Sequence, residues 1–120
     1  MSNHAATASR LIPTEAVLRN HLRSATVGVD AVMGDYTEQS VLITHEGTYR
    51  GLAEIRRFFT GLFEALPAGF FDTMRMVRQE IIGEVAYILW AREPIISQAT
   101  DTFVVRDGKI LFQTFTAAMK

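Results

Sequence analysis

Residues 99–111, ATDTFVVRDGKIL, read as a β-hairpin with one residue out of place. Phe103, Val104 and Val105 lead into Asp107-Gly108, one of the strongest short signals for a tight hairpin turn, and Ile110 and Leu111 lead out of it. Asp101 is the exception, an acid in an apolar strand. The same alternation extends in both directions. Strands are expected at about 71–82, 84–93, 98–106 and 109–118, with Gly83-Glu84 as a second tight turn and Pro94 in the longer middle loop. The C-terminal half is thus an antiparallel meander.

Upstream the period changes from two to 3.6. In LAEIRRFFTGLFEAL, residues 52–66, Ile55, Phe58, Phe59, Leu62 and Leu66 fall three and four apart, and Pro67-Ala68-Gly69 ends the helix. VLIT, residues 41–44, reads as a strand, followed by a turn at His45-Glu46-Gly47. Pro13 and Thr14 open a first helix with Thr14 as the expected N-cap. Val17, Leu18, Leu22 and Ala25 form its apolar stripe, and His21 lies on the same side. Gly28 separates it from a short helix capped by Asp30, with Val29, Val32, Met33 and Tyr36 on one face. Residues 1–11 read as a polar tail and 12–120 as one domain. Helices first and a meander after make an α+β fold.

The totals fit a single globular domain: 120 residues, 48% hydrophobic, 21% charged, with eight Phe and one Trp for a core. A formal net charge of −1 and the lack of a Lys/Arg run argue against nucleic acid or an anionic membrane as partner. No apolar run approaches the roughly 18 residues of a membrane span, and the first ten residues lack the apolar core of a secretion signal. The cytoplasm is the expected location. With no cysteine, disulfides, thiolate catalysis and cysteine-ligated metal are excluded. VAYILWA, residues 85–91, is apolar at successive positions, which predicts a strand covered on both faces. Helices can cover one face, and a second subunit of a homodimer is the simplest cover for the other.

Three stretches together, DYTEQSVLI, GTYRGLAEIRRFF and DTFVVRDGKILFQTF, resemble the nuclear transport factor 2-like superfamily, and within it the small SnoaL-like, ketosteroid isomerase-like bacterial proteins. The resemblance spans about residues 14–118. It implies a cone-shaped, strongly bent antiparallel sheet wrapped around the N-terminal helices, an apolar pocket at the open end and dimerisation through the sheet's outer face. The fold hosts enzymes, binders and interaction modules alike, so it does not name a reaction.

The isomerases of that superfamily use a carboxylate base, a tyrosine and a protonated aspartic acid. The resemblance places Asp101 at the acid. It places Asn20 at the tyrosine, and Thr44 or Ile43 at the base. Two of the three roles are missing, which argues against steroid isomerisation by the family mechanism. His21 has two readings, a general base or a flank histidine bonded to backbone. Asp101 is either a desolvated acid facing a pocket or a strand-end acid bonded to backbone. Gln113 shares a strand face with Leu111 and Phe115 by period two, and is either a polar group in the pocket wall or the partner of a structural Asp–Gln pair. Tyr36, Phe59, Phe103 and Phe115 complete the expected ligand-binding set. Met74, Met76 and Trp90 fit either pocket or interface, and Arg50 and Arg56 read as solvated or salt-bridged. The three His (His4, His21, His45) are scattered and give metal binding little support. No cofactor is expected. The expected function is a domain that binds a small apolar molecule without a complete catalytic set. The alternatives are an acid/base enzyme of isomerase, cyclase or dehydratase type using Asp101 with His21 or Asn20 assisting, and a non-catalytic interaction module.

Overall fold

A computed structural model describes residues 13–119; the expected tail, residues 1–11, and His4 within it lie outside them. Helix α1 (Pro13–Ser24) and the short α2 (Val29–Met33) precede strands β1 (Val41–Thr44) and β2 (Gly47–Arg50), and α3 (Gly51–Ala65) follows. A short 3-10 helix (Phe70–Thr73) leads into β3 (Arg75–Ile82), β4 (Val85–Arg92), β5 (Ile96–Arg106) and β6 (Lys109–Met119). The six strands form one sheet in the order β2-β1-β6-β5-β4-β3.

That order corrects the expected antiparallel sheet. β1 runs parallel to β6, with Leu42 opposite Gln113 and Thr44 opposite Phe115, so the sheet is mixed. The meander itself is antiparallel as expected. Register shifts at Met76/Arg78, Trp90/Arg92, Ile96/Gln98 and Val104/Val105 interrupt it. Such irregularities bend and twist the strands that carry them, which curves the sheet over the helices.

Local chemistry explains where the elements begin. Pro13 takes the first helical position, where the missing N–H would have had no partner. Thr14 is therefore inside the helix, not its cap: it is buried, and its hydroxyl donates to the Gly83 carbonyl at 2.6 Å, tying α1 to the β3–β4 turn. The expected cap at Asp30 is corrected too. Gly28 holds that position without a side-chain bond, and Asp30 pairs with Arg56 at 2.7 Å on the surface. Residues 71–73, expected as strand, belong to the 3-10 helix. Gly69, left-handed at φ 74°, turns the chain there, and Phe70 N–H bonds back to the Pro67 carbonyl at 3.1 Å.

The core lies between the helices and the inner sheet face, with Leu18, Leu42, Ile55, Ile88, Phe103 and Ile110 almost wholly buried. On β4 the two faces differ. Ala86, Ile88 and Trp90 are buried, whereas Val85 is exposed and Tyr87 and Leu89 are half-buried. On the outer face Val41, Phe112, Val104, Val85 and Ile82 stand opposite one another in register, an apolar row across five strands. No helix among the described residues is long and apolar enough to cross a membrane.

Candidate functional site

The inner face of α3 and the curved sheet enclose an apolar cavity of about 50 Å³. One water needs roughly 10–15 Å³, so the resting space suits a few atoms. Its rim includes Phe58, Leu62, Phe71, Met74 and Phe115, all half-buried. A second cavity of about 150 Å³ lies beside it and shares Ala25, Phe63, Leu66 and Phe71 as a common wall.

Three polar side chains reach the main cavity: His21, Asp101 and Gln113. His21 is buried in α1, and its ring meets Tyr36, Phe59 and Phe103 edge-on at centroid distances of 5.9, 6.3 and 5.3 Å. Its Nδ1 lies 3.1 Å from Asp35 Oδ2. A carboxylate only accepts, so in the neutral ring Nδ1 carries the proton and Nε2 the free lone pair. Nε2 makes no hydrogen bond to the described chain. No fully buried side-chain nitrogen or oxygen among the described residues lacks a partner, so Nε2 remains accessible on the ring that lines the cavity.

Asp35 is fixed from several sides. Asn20 Nδ2 donates to its Oδ1 at 2.8 Å, and its carbonyl accepts from Ile110 N–H at 2.8 Å. Next to it, Lys109 Nζ donates to the Gly34 carbonyl at 2.7 Å. The Ser40 hydroxyl donates to the Ile110 carbonyl at 2.5 Å, locking the same corner of β6. The dyad therefore joins α1 to the segment after α2, and β6 holds that segment in place.

Asp101 points inward from β5, opposite Ile88 on β4 and Phe115 on β6. Trp90 Nε1 donates to its Oδ1 at 2.8 Å and Gln113 Nε2 to its Oδ2 at 2.9 Å. Burial pushes its carboxyl above the usual range, partly countered by the two N–H donors and by His21. Gln113 Oε1 in turn accepts from the Tyr36 hydroxyl. Burial, then the negative charges of Asp101 and Asp35, push that phenol well above its usual range, so Tyr36 stays a donor. The amide is thereby oriented: its oxygen faces Tyr36 and its nitrogen faces Asp101.

The expected residues separate clearly. His21, Phe59, Asp101, Phe103, Gln113 and Phe115 line one cavity. Asn20 does not; it is exposed, its Nδ2 donating to Asp35 and its Oδ1 accepting from Arg23. Consecutive helical residues differ by about 100°, so Asn20 faces out while His21 faces in, and both reach Asp35. Tyr36 stands behind Gln113, outside the wall. His21 bonds a carboxylate and not backbone. The positions that the resemblance assigns to a base lie elsewhere. Ile43 is exposed, and the Thr44 hydroxyl accepts from Glu46 N–H at 3.1 Å in the β1–β2 turn. Trp90 and Met74 line the cavity, whereas Met76 is 37% exposed. Asp35 was missed. Its signal was its spacing: it falls three residues after Val32, on the apolar side of α2 as that turn continues.

Neither a family model nor a curated protein matches the sequence. Solved structures do match. A nuclear transport factor 2-like protein of unknown function from Burkholderia xenovorans LB400 aligns with TM-score 0.70 at 13% identity, over 90% of this chain and 84% of that one. A SnoaL-like protein of unknown function from Burkholderia thailandensis E264 gives 0.71 at 11% identity, over 88% and 94%. A protein with a ketosteroid isomerase-like fold from Catenulispora acidiphila DSM 44928, in complex with trimethylamine, gives 0.63 at 11%, over 82% of each chain. At these identities the likeness is one of fold. The mixed curved sheet, the three helices beneath it and these alignments together give the chain the nuclear transport factor 2-like fold, in the form that SnoaL-like and ketosteroid isomerase-like proteins share.

Proposed function

We propose that the cavity binds a small, largely apolar molecule and that the His21–Asp35 dyad moves a proton on it, with His21 Nε2 as general base. One observation carries this reading: Asp35 holds the Nδ1 side of a buried imidazole while Nε2 stays accessible on a cavity-lining ring. An imidazole so oriented can abstract a proton, and a carboxylate partner stabilises the imidazolium that forms. Asp101, across the same cavity, supplies a second polar contact to the bound molecule. The aromatic wall excludes water and supplies most of the binding, as in small-ligand sites generally. The acid/base reading thereby gains over binding alone, because the base has a partner that family positions alone do not indicate.

The test begins with protein purified from its own source and native mass spectrometry for a retained small molecule. The complex is then held in deuterated water. Deuterium should enter a carbon-bound position of the retained molecule in the parent protein and not in His21→Gln. Equal incorporation in both proteins would refute the role of His21. A retained molecule that takes up no deuterium in either protein would favour binding without chemistry.

A further inference from the structure

We infer that the ligand class is a hydrogen-bond donor, a hydroxylated and otherwise apolar molecule of the phenol or alcohol type, held between His21 Nε2 and the Asp101–Gln113 pair. This rests on the reading of the cavity as a ligand site and adds the ligand's chemistry. The donors and acceptors of the wall select this class. Asp35 takes the Nδ1 proton of His21, so the neutral ring offers the cavity a lone pair at Nε2. Each Asp101 oxygen already receives one N–H, from Trp90 and from Gln113. Both donors are fixed: indole Nε1 can only donate, and the acceptor-only carboxylate takes the N–H side of the Gln113 amide, leaving its oxygen to the Tyr36 hydroxyl. Asp101 is therefore presented as an acceptor at both oxygens. Among the three polar residues of the wall only the second N–H of Gln113 Nε2 is left to meet a ligand acceptor.

A carbonyl compound would bring an acceptor to a site built of acceptors. A hydroxyl brings a donor, together with an oxygen that one remaining N–H can serve. The rest of the wall fits the same class. Seven aromatic rings line it (Phe58, Phe59, Phe63, Phe71, Trp90, Phe103 and Phe115), and no Lys or Arg does. Carboxylates and phosphates would therefore meet acidic groups without a counter-ion. In the bound complex the ligand O–H donates to His21 Nε2. Proton transfer would break that O–H bond, form N–H at Nε2 and leave the electron pair on oxygen, with the imidazolium held by Asp35; in a phenol the ring carbons share that pair, and solvent deuterium enters there.

The test compares four single-ring probes on the wild-type chain by NMR titration: phenol, anisole, benzaldehyde and benzoate. A site that leaves buried polar groups unpaired discriminates by about tenfold or more. Phenol should bind at least tenfold more tightly than anisole or benzaldehyde, and benzoate weakest. Asp101→Asn places a donor in the acceptor pair and should narrow the ratio of phenol to benzaldehyde. If benzaldehyde binds as tightly as phenol, the ligand class is wrong while the cavity remains a ligand site. If none of the four shifts cavity resonances, both the class and the ligand site fail. The four-probe comparison needs no variant and so does not depend on Asp101→Asn folding.

Discussion

Replacing Asp101 with Asn tests the buried network through stability alone. In the native chain two N–H donors, Trp90 Nε1 at 2.8 Å and Gln113 Nε2 at 2.9 Å, converge on the two oxygens of one carboxylate. Asn offers one oxygen and one NH₂, so one of those donors must face another. Turning the Gln113 amide moves the conflict to Tyr36, whose hydroxyl then loses its acceptor. One unpaired buried polar group costs about 1–3 kcal/mol. A second effect depends on pH. The folded carboxyl of Asp101 is raised by burial, so its favourable contribution is full below the unfolded value of about 4. It is lost as pH rises through the folded value, at about 1.4 kcal/mol for each unit of displacement. Asn does not titrate. The deficit of the variant is therefore largest in acid and shrinks toward neutral pH. Urea unfolding of both proteins from pH 4 to 8 reads this directly, with an acid-side midpoint shift of about 1 M for a 2 kcal/mol loss. A deficit that grows with pH would mean the native carboxyl is lowered, and would refute the account of its surroundings.

Thr14→Val removes the hydroxyl that reaches the Gly83 carbonyl and should cost about 1 kcal/mol in urea unfolding without moving cavity resonances. Gly51 has φ +80°, and an added Cβ would come within 2.9 Å of Glu38 Oε1; Gly51→Ala should lower stability by about 1–2 kcal/mol, measured the same way. The homodimer proposed for the sheet's outer face would centre on the apolar row that includes Phe112, which is 44% exposed. Phe112→Glu should then shift the mass measured by light scattering from dimer to monomer, and a wild-type chain already monomeric at high concentration would remove that proposal.

Sequence patterns revealed those parts of this fold whose signal is local. The i, i+3, i+4 spacing from Ile55 to Leu66 and the Asp107-Gly108 turn are decided within a dozen residues, and both elements stand where that spacing puts them. The parallel pairing of β1 with β6 is not local. It joins Leu42 to Gln113 across most of the chain, and no turn marks it. Helix starts were misjudged where tertiary bonds outbid local ones: Thr14 spends its hydroxyl on Gly83 and Asp30 its carboxylate on Arg56. The site divides in the same way. Asp101 stood out because it broke an apolar strand, and Gln113 followed from the two-residue period. Asp35 sits in Gly34-Asp35-Tyr36, just past the end of α2, where its three-residue spacing from Val32 is a weak signal. Only the packing of that turn against α1 brings it to His21.

In the proposed dyad Asp35 holds the proton of His21 on Nδ1 and leaves Nε2 as a bare acceptor in the cavity. Nitrogen-15 NMR of the histidine ring at a pH where it is neutral reports this directly. Nδ1 should give the signal of a protonated ring nitrogen and Nε2 that of an unprotonated one, and Asp35→Asn should mix the two tautomers. A ring protonated at Nε2 in the wild-type chain, or a tautomer indifferent to Asp35, would contradict the account.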